Sequence, residues 1–189
     1  MPKQRITKEM VVDAAFELAR EGGMEEVLVK RIAKRIGCSV QPIYSYCHNM
    51  QGLKQEVIGR VQTFVQQYVA LHLDRKELFR STGRAYLQIA REEPHLFRIF
   101  VLHERENISS LDELYRSEAD PTVAVSIAED LQISLAQARQ LHLNMLIYTM
   151  GLGAVFSVTR PGISIEEIFI QQEIAYEAFL KQIAAMPTC

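Results

Sequence analysis

Residues 29–46 read VKRIAKRIGCSVQPIYSY. The first eight positions put Ile32, Ala33 and Ile36 on one side of a helix and Lys30, Arg31, Lys34 and Arg35 on the rest. Gly37 ends that helix, because glycine enters the left-handed region at little steric cost. Ser39 is placed to cap a second, very short helix that runs to about Tyr46 or Cys47. Pro42 falls at its third position, where a missing N–H is harmless because first-turn donors have no acceptor inside the helix. Val40 and Ile43 are expected to face Ile32, Ala33 and Ile36. That leaves Ser39, Gln41, Pro42, Tyr44, Ser45 and Tyr46 outward or on the rim. A helix this short is not stable alone and must be held by its neighbours.

The flanking sequence supplies those neighbours. Upstream, Val11, Ala14, Ala15, Leu18 and Ala19 follow the helical period, with Thr7 as the expected N-cap and Gly22–Gly23 as the stop. Downstream, Asn49 is placed to cap a long fourth helix that carries Leu53, Val57, Val61, Phe64 and Val65 and continues to about Leu71. Further helices are expected at about 76–92, 95–105, 123–130, 134–158 and 164–185. Pro94 opens one of them, Ser134 with Gln137 and Ser164 with Glu167 form capping boxes for two others, and Pro161–Gly162 breaks the last pair. The polar stretch 106–122, with Pro121, reads as a loop. No β-alternation of useful length, internal repeat or low-complexity tract occurs, so the fold class is all-α.

Charge is uneven along the chain. The net charge is -2 over 189 residues, but residues 1–60 carry +3 and residues 61–189 carry -5. A mildly basic head on an acidic body suits an N-terminal nucleic-acid surface. The short helix has the chemistry for it, since exposed tyrosines donate to phosphate oxygens and pack on sugars, and His48 stands nearby. The same spacing also suits an ordinary helical hairpin. The three cysteines, Cys38, Cys47 and Cys189, match neither a disulfide framework nor a zinc pattern and read as reduced thiols of a cytoplasmic protein. MPKQRITKE has no apolar signal core, and no run of 18 apolar residues follows, so no membrane partner is expected.

The segment TKEMVVDAAFELAREGGMEEVLVKRIAKRIGCSVQPIYSYCHNMQGLKQEVI, within residues 5–60, resembles the N-terminal domain of the TetR family of bacterial transcriptional regulators. The likeness rests on AAFELAREGG, VKRIAKRIGCS, IYSYCHNMQGL and the start of the fourth helix. It implies a helix-turn-helix that binds double-stranded DNA at a pseudo-palindromic operator, in a homodimer that usually represses transcription. It puts Gln41 and Pro42 where bases are read, Tyr44 at a phosphate-contacting tyrosine, and Tyr46 at an aromatic contact position. Thr7 and Val29 fall where the first two helices start beside the DNA backbone. Three positions depart from the family pattern: Cys47 replaces a phenylalanine, Met50 a lysine, and Val29 a threonine or serine. Losing the lysine removes a phosphate contact, for which Arg5, Lys8, Lys30 and Lys54 are candidate substitutes.

The resemblance implies a DNA-binding domain over 1–60 and an antiparallel helical ligand-binding and dimerisation domain over 61–189. In the second, Tyr86, Phe97, Phe100, Val101, His103, Met145, Tyr148 and Thr149 are the candidate lining of a pocket for a small apolar effector, with apolar walls and a few polar tips. Gly151 and Gly153 allow close approach in a helix that is apolar nearly all round beyond Met145. The stripe Ile165, Phe169, Ile170, Ile174, Phe179 and Ile183 is the candidate dimer surface of the last helix. No Gly-rich phosphate loop, nucleophile elbow, His-Glu-x-x-His or paired acidic signature is present, so neither catalysis nor a cofactor or metal is expected. The alternatives are an activator of the same fold and a helical interaction protein that does not bind DNA.

Overall fold

The computed structural model describes residues 6–46, 49–74, 76–160 and 162–185. These form ten α-helices: α1 Lys8–Gly22, α2 Val29–Ile36, α3 Val40–Tyr46, α4 Met50–Leu71, α5 Leu78–Glu92, α6 Pro94–Leu102, α7 Leu111–Glu118, α8 Pro121–Leu131, α9 Leu135–Phe156 and α10 Ile165–Ala184. A 3₁₀ turn, Met24–Glu26, joins α1 to α2. By packing, the chain divides into two units. The first holds the described residues up to Tyr68 together with Glu92–His103, and the second holds Val69–Arg91 with the described residues from Glu104 onward. Helix α6 thus packs with the N-terminal helices, whereas a division at residue 60 leaves it in the C-terminal body.

In the first unit, Val11, Ala15 and Ala19 of α1, Ile32 of α2 and Ile43 of α3 are wholly buried. Thr7 caps α1, its Oγ1 accepting from the Met10 amide at 3.2 Å. Gly37 caps α2 at φ 77°, and both its own N–H and that of Cys38 return to the Ala33 carbonyl. One expectation fails here: Val40 is not turned inward but is 40% exposed. A seven-residue helix has room for one buried row, and Ile43 occupies it. Asn49 Oδ1 accepts from the Gly52 amide at 2.6 Å at the start of α4. Leu53, Val57, Val61 and Val65, one turn apart, form its buried edge. Phe64 stacks at a tilt on Phe16. Helix α6 is tied in by Arg20, whose Nε donates to both oxygens of Glu93 at 3.0 and 2.9 Å, and by the Tyr68 hydroxyl donating to Glu92 at 2.7 Å.

In the second unit α9 packs against α8 and α10 around Ile127, Ala138, Leu141, Met145, Tyr176 and Ile183. Both expected capping boxes are formed. The stretch 106–122 is not a loop: it contains α7 and the start of α8. Ser110 caps α7 by accepting from the Glu113 amide, and Asp120 caps α8 ahead of Pro121. The apolar period of α7 is hidden because Tyr115 is its one buried residue, while Leu111 is exposed. Helix α6 likewise stops at Leu102 rather than near residue 105.

Tyr115 fastens α7 through His142 of α9, hydroxyl to Nδ1 at 2.9 Å, with Phe79 of α5 edge-on to the imidazole. Burial holds His142 down at about 4, so it is neutral in the fold.

Two outcomes follow from these contacts. Gly37→Ala meets no neighbouring atom but forces a side chain into the left-handed region, so chemical denaturation should show a loss of about 1 kcal/mol, with Gly37→Asn losing less. Unfolding releases His142 to its ordinary value of 6.5. Between pH ~6.5 and ~4 the unfolded chain therefore takes up a proton that the fold refuses, and stability falls as pH falls. From pH 7 to pH 5 this contribution is about 2 kcal/mol, and denaturation of His142→Gln at both pH values should show a pH dependence smaller by that amount.

Candidate nucleic-acid interface

The surface centred on α3 is set by what α3 hides. Ile43 is fully buried, so the residues before and after it are forced outward: Gln41, Tyr44 and Ser45 are exposed, Tyr44 by 58%, and Pro42 and Tyr46 are half-buried at the edges. Ser39 is exposed in the turn. The Ser45 hydroxyl donates to the Gln41 carbonyl at 3.2 Å, which spends its proton inside the helix, while Gln41 and Tyr44 keep outward donors. His48, Cys47 and Arg5 lie outside the described residues.

Two further helix starts belong to the same unit. Thr7 is exposed, and because its oxygen accepts from Met10, its O–H remains to donate outward. Val29 begins α2 half-buried, and Leu28 at the cap provides no side-chain acceptor for the first-turn amides. Such amides, with the helix dipole behind them, suit a phosphate. The missing hydroxyl at Val29 therefore does not close this helix start to anions.

The cations of α2 are sorted by their ion pairs. Arg31 is held by Glu26 and Arg35 by Glu21, the latter at 2.6 Å. Lys30 and Lys34 extend from exposed positions. Lys8 reaches Glu56 at 2.6 Å, so it is partly neutralised as a substitute phosphate contact. Met50 is half-buried at the first position of α4, and Lys54 follows one turn later. Cys38 is a half-buried free thiol in the turn after α2.

The eight pocket candidates do not gather in one unit. Phe97 and Phe100 are buried in the first unit and Val101 and His103 half-buried there, with His103 Nδ1 2.7 Å from the Phe100 carbonyl. Tyr86, Met145, Tyr148 and Thr149 lie in the second unit. The Tyr148 hydroxyl accepts from Gln171 at 3.1 Å, and buried Thr149 accepts from buried Gln172 at 3.4 Å. Burial raises the Tyr86 hydroxyl, and the charge of Glu118 adds to it. Gln172 is a residue that the sequence reading missed. It breaks the inward row of Ile165, Ile168, Ala175 and Tyr176, and a lone polar residue in such a row was the available signal. Opposite it, Gly83 leaves room for this amide, since a Cβ there would stand 2.0 Å from Gln172 Nε2 and the end of that side chain would have to move.

The expected stripe on α10 splits into two faces. Ile165 and Ile183 are buried, and Ile170 and Ile174 point to solvent, Ile170 61% exposed. Among the described residues, no group of three His, Cys, Asp or Glu is placed to hold a metal ion, and no helix is long and apolar enough to cross a membrane.

Comparison with known proteins finds likeness in sequence near the amino terminus and in fold over the whole chain. Residues 11–57 match the family model of bacterial regulatory proteins, tetR family. No curated protein matches the chain by sequence. Among solved structures, a TetR-like transcriptional regulator from Rhodococcus sp. RHA1 is similar at a TM-score of 0.58 and 14% identity, over 96% of this chain and 100% of that one. A protein assigned to the TetR-family transcriptional regulators, from Mesorhizobium loti MAFF303099, is similar at a TM-score of 0.57 and 16% identity, over 93% and 95% of the two chains. At such identities these two likenesses speak for the fold alone. The family match is confined to residues 11–57, and beyond them the likeness is one of fold.

Proposed function

We propose that this protein is a ligand-responsive transcriptional repressor that binds a pseudo-palindromic operator as a homodimer. The observation that carries the DNA-binding part is the division of α3: Ile43 anchors it while Gln41 and Tyr44 face out. A short helix with polar groups outward fits a major groove. Gln41 and Pro42 read bases, and Tyr44 and Tyr46 hold the backbone, with Ser39 and Ser45 at the margin and His48 a further contact candidate from the sequence. Thr7, Val29 and Lys30 grip phosphates at the starts of α1 and α2.

The homodimer reading is supported by apolar side chains that the second unit leaves in solvent. On α9, Ile147 and Val155 are exposed, Val155 by 63%, with Gly151 between them at four-residue spacing and nothing near it. On α10, Ile170 and Ile174 are exposed at the same spacing. Contiguous exposed apolar faces mark interaction surfaces. A second copy supplies an identical face, and a two-fold protein matches a two-fold site.

The effector is a small, largely apolar molecule held in the second unit, with Met145 on the apolar side and Tyr86, Tyr148 and Thr149 as polar tips. Its effect on DNA binding requires unequal affinity for the two states. A 100-fold difference supplies about 2.7 kcal/mol.

Selection of binding fragments from random double-stranded DNA, followed by mobility shift, tests the central reading. Recovery of no enriched sequence would overturn it. On the selected operator, Tyr44→Phe should weaken all sequences alike, because a phosphate contact carries no base information. Gln41→Ala should flatten preference at one or two positions, by about 1–3 kcal/mol each. In sedimentation at micromolar concentration the native chain should run as a dimer and Ile174→Glu as a monomer. A broad thermal-shift screen should find apolar compounds that raise the melting temperature and weaken the operator complex, and Thr149→Val should reduce both effects together.

A further inference from the structure

Gln172 interrupts the inward row of α10 within the second unit, and only one end of its amide is engaged. The residue is 6% exposed. Its nitrogen end meets both α5 and α9. It lies against Gly83, where a Cβ would stand 2.0 Å from Nε2, and it donates to Thr149 Oγ1 at 3.4 Å. The oxygen is turned away from α5, 3.7 Å from that same Cβ position. Among the described residues this oxygen accepts from no donor. Every described side-chain nitrogen or oxygen that is sealed from solvent has a partner. The Gln172 oxygen is therefore not sealed, and it opens on space that a water-sized group can reach. An acceptor carried on so buried a side chain is costly unless a hydrogen is supplied to it from outside the fold.

The surroundings define what can supply that hydrogen. One turn away on the same inward rows stand Met145 of α9 and Ile168 of α10, both buried. The acids that follow on α10, Glu173 and Glu177, are held by Arg80 at 3.0 and 2.9 Å. An ammonium group would thus be buried beside a neutral amide without a counter-charge, and a carboxylate would face an oxygen that cannot donate. We infer that Gln172 reads the effector of the second unit by accepting a hydrogen bond from it, so the effector is an uncharged, largely apolar molecule that carries an O–H or N–H. The inference rests on the effector reading given above and names the group which that site recognises. Thr149 acts as a positioning residue, because its contact with Nε2 fixes where the oxygen faces.

The test titrates the full chain, labelled with ¹³C at its methionine methyls, with 4-propylphenol, cyclooctanol and caprolactam, each beside its O- or N-methyl counterpart, and with 4-propylbenzoate. At least one of the three donors should shift the Met145 methyl saturably and bind at least tenfold more tightly than its methylated counterpart and than the benzoate. Gln172→Met, which keeps the length and loses the acceptor, should bring each donor down to its counterpart. Thr149→Ser keeps the contact to Nε2 and should keep the discrimination, whereas Thr149→Val should reduce it, and this pair tests the amide without altering it. Equal binding of donors and counterparts, tighter binding of the benzoate, or discrimination unchanged in Gln172→Met would overturn the proposal. Binding by none of the donors, while other apolar compounds still raise the melting temperature, would overturn it and leave the effector reading standing. Binding by no compound of any class would overturn both.

Discussion

Everything at the amino-terminal end depends on keeping seven residues helical that have no stability of their own. Helix α3 is below the length at which hydrogen bonding repays nucleation, so its conformation is borrowed. Ile43 is the point of attachment, wholly buried in a helix that packs against α1 and α2, whose Val11, Ala15 and Ile32 are wholly buried too. Gly37 sets the direction of approach by turning the chain through a left-handed residue. One buried isoleucine and one backbone angle therefore determine which side chains of α3 face solvent. This also explains why the outward set is narrow, since burying a second row would leave no reading surface.

Support of that kind is graded through the first unit. The interior mixes small and β-branched residues with Leu53, Leu96 and Phe97, and the polar contacts that hold α6 involve its first residues. The carboxylate of Glu93, at the N-cap of α6, is used up by Arg20 instead of capping its own helix. Arg20 also lies over the Phe64 ring. An exposed pair alone contributes little, but a two-point guanidinium contact combined with ring packing fixes geometry as well as adding energy.

Much of the first unit was legible in the sequence because its signals are local. Thr7, Gly37, Asn49 and the apolar edge of α4 each act within a few residues of themselves, and the structure has them in those roles. Val40 was misread because periodicity gives the side of a helix but not how deep that side sits. Helix α7 escaped because its one buried residue, Tyr115, finds its partner His142 far along the chain, and no pattern within 106–122 contains that partner. The pocket candidates were legible as inward-facing types and not as a set. Phe97 and Phe100 on α6 and Met145 and Tyr148 on α9 read alike as inward-facing, and which unit each helix joins is decided by tertiary packing. On α10 the apolar period was right but counted two faces as one, because isoleucine facing the core and isoleucine facing solvent look alike in a string.

The meeting of Gly83 and Gln172 has an evolutionary reading. The amide of Gln172 fills the space that any side chain at 83 would need, while its hydrogen bond to Thr149 fixes it there. A side chain at 83 therefore requires the amide end of Gln172 to move off Thr149. A larger residue at 83 becomes tolerable once 172 has shortened, and shortening 172 first opens a void beside a polar hydroxyl. The two sites form a ratchet in which the order of substitutions matters, with strongly non-additive effects between them. In related chains the residues at these two positions should therefore change as a pair, large for small, even though 89 residues separate them along the sequence.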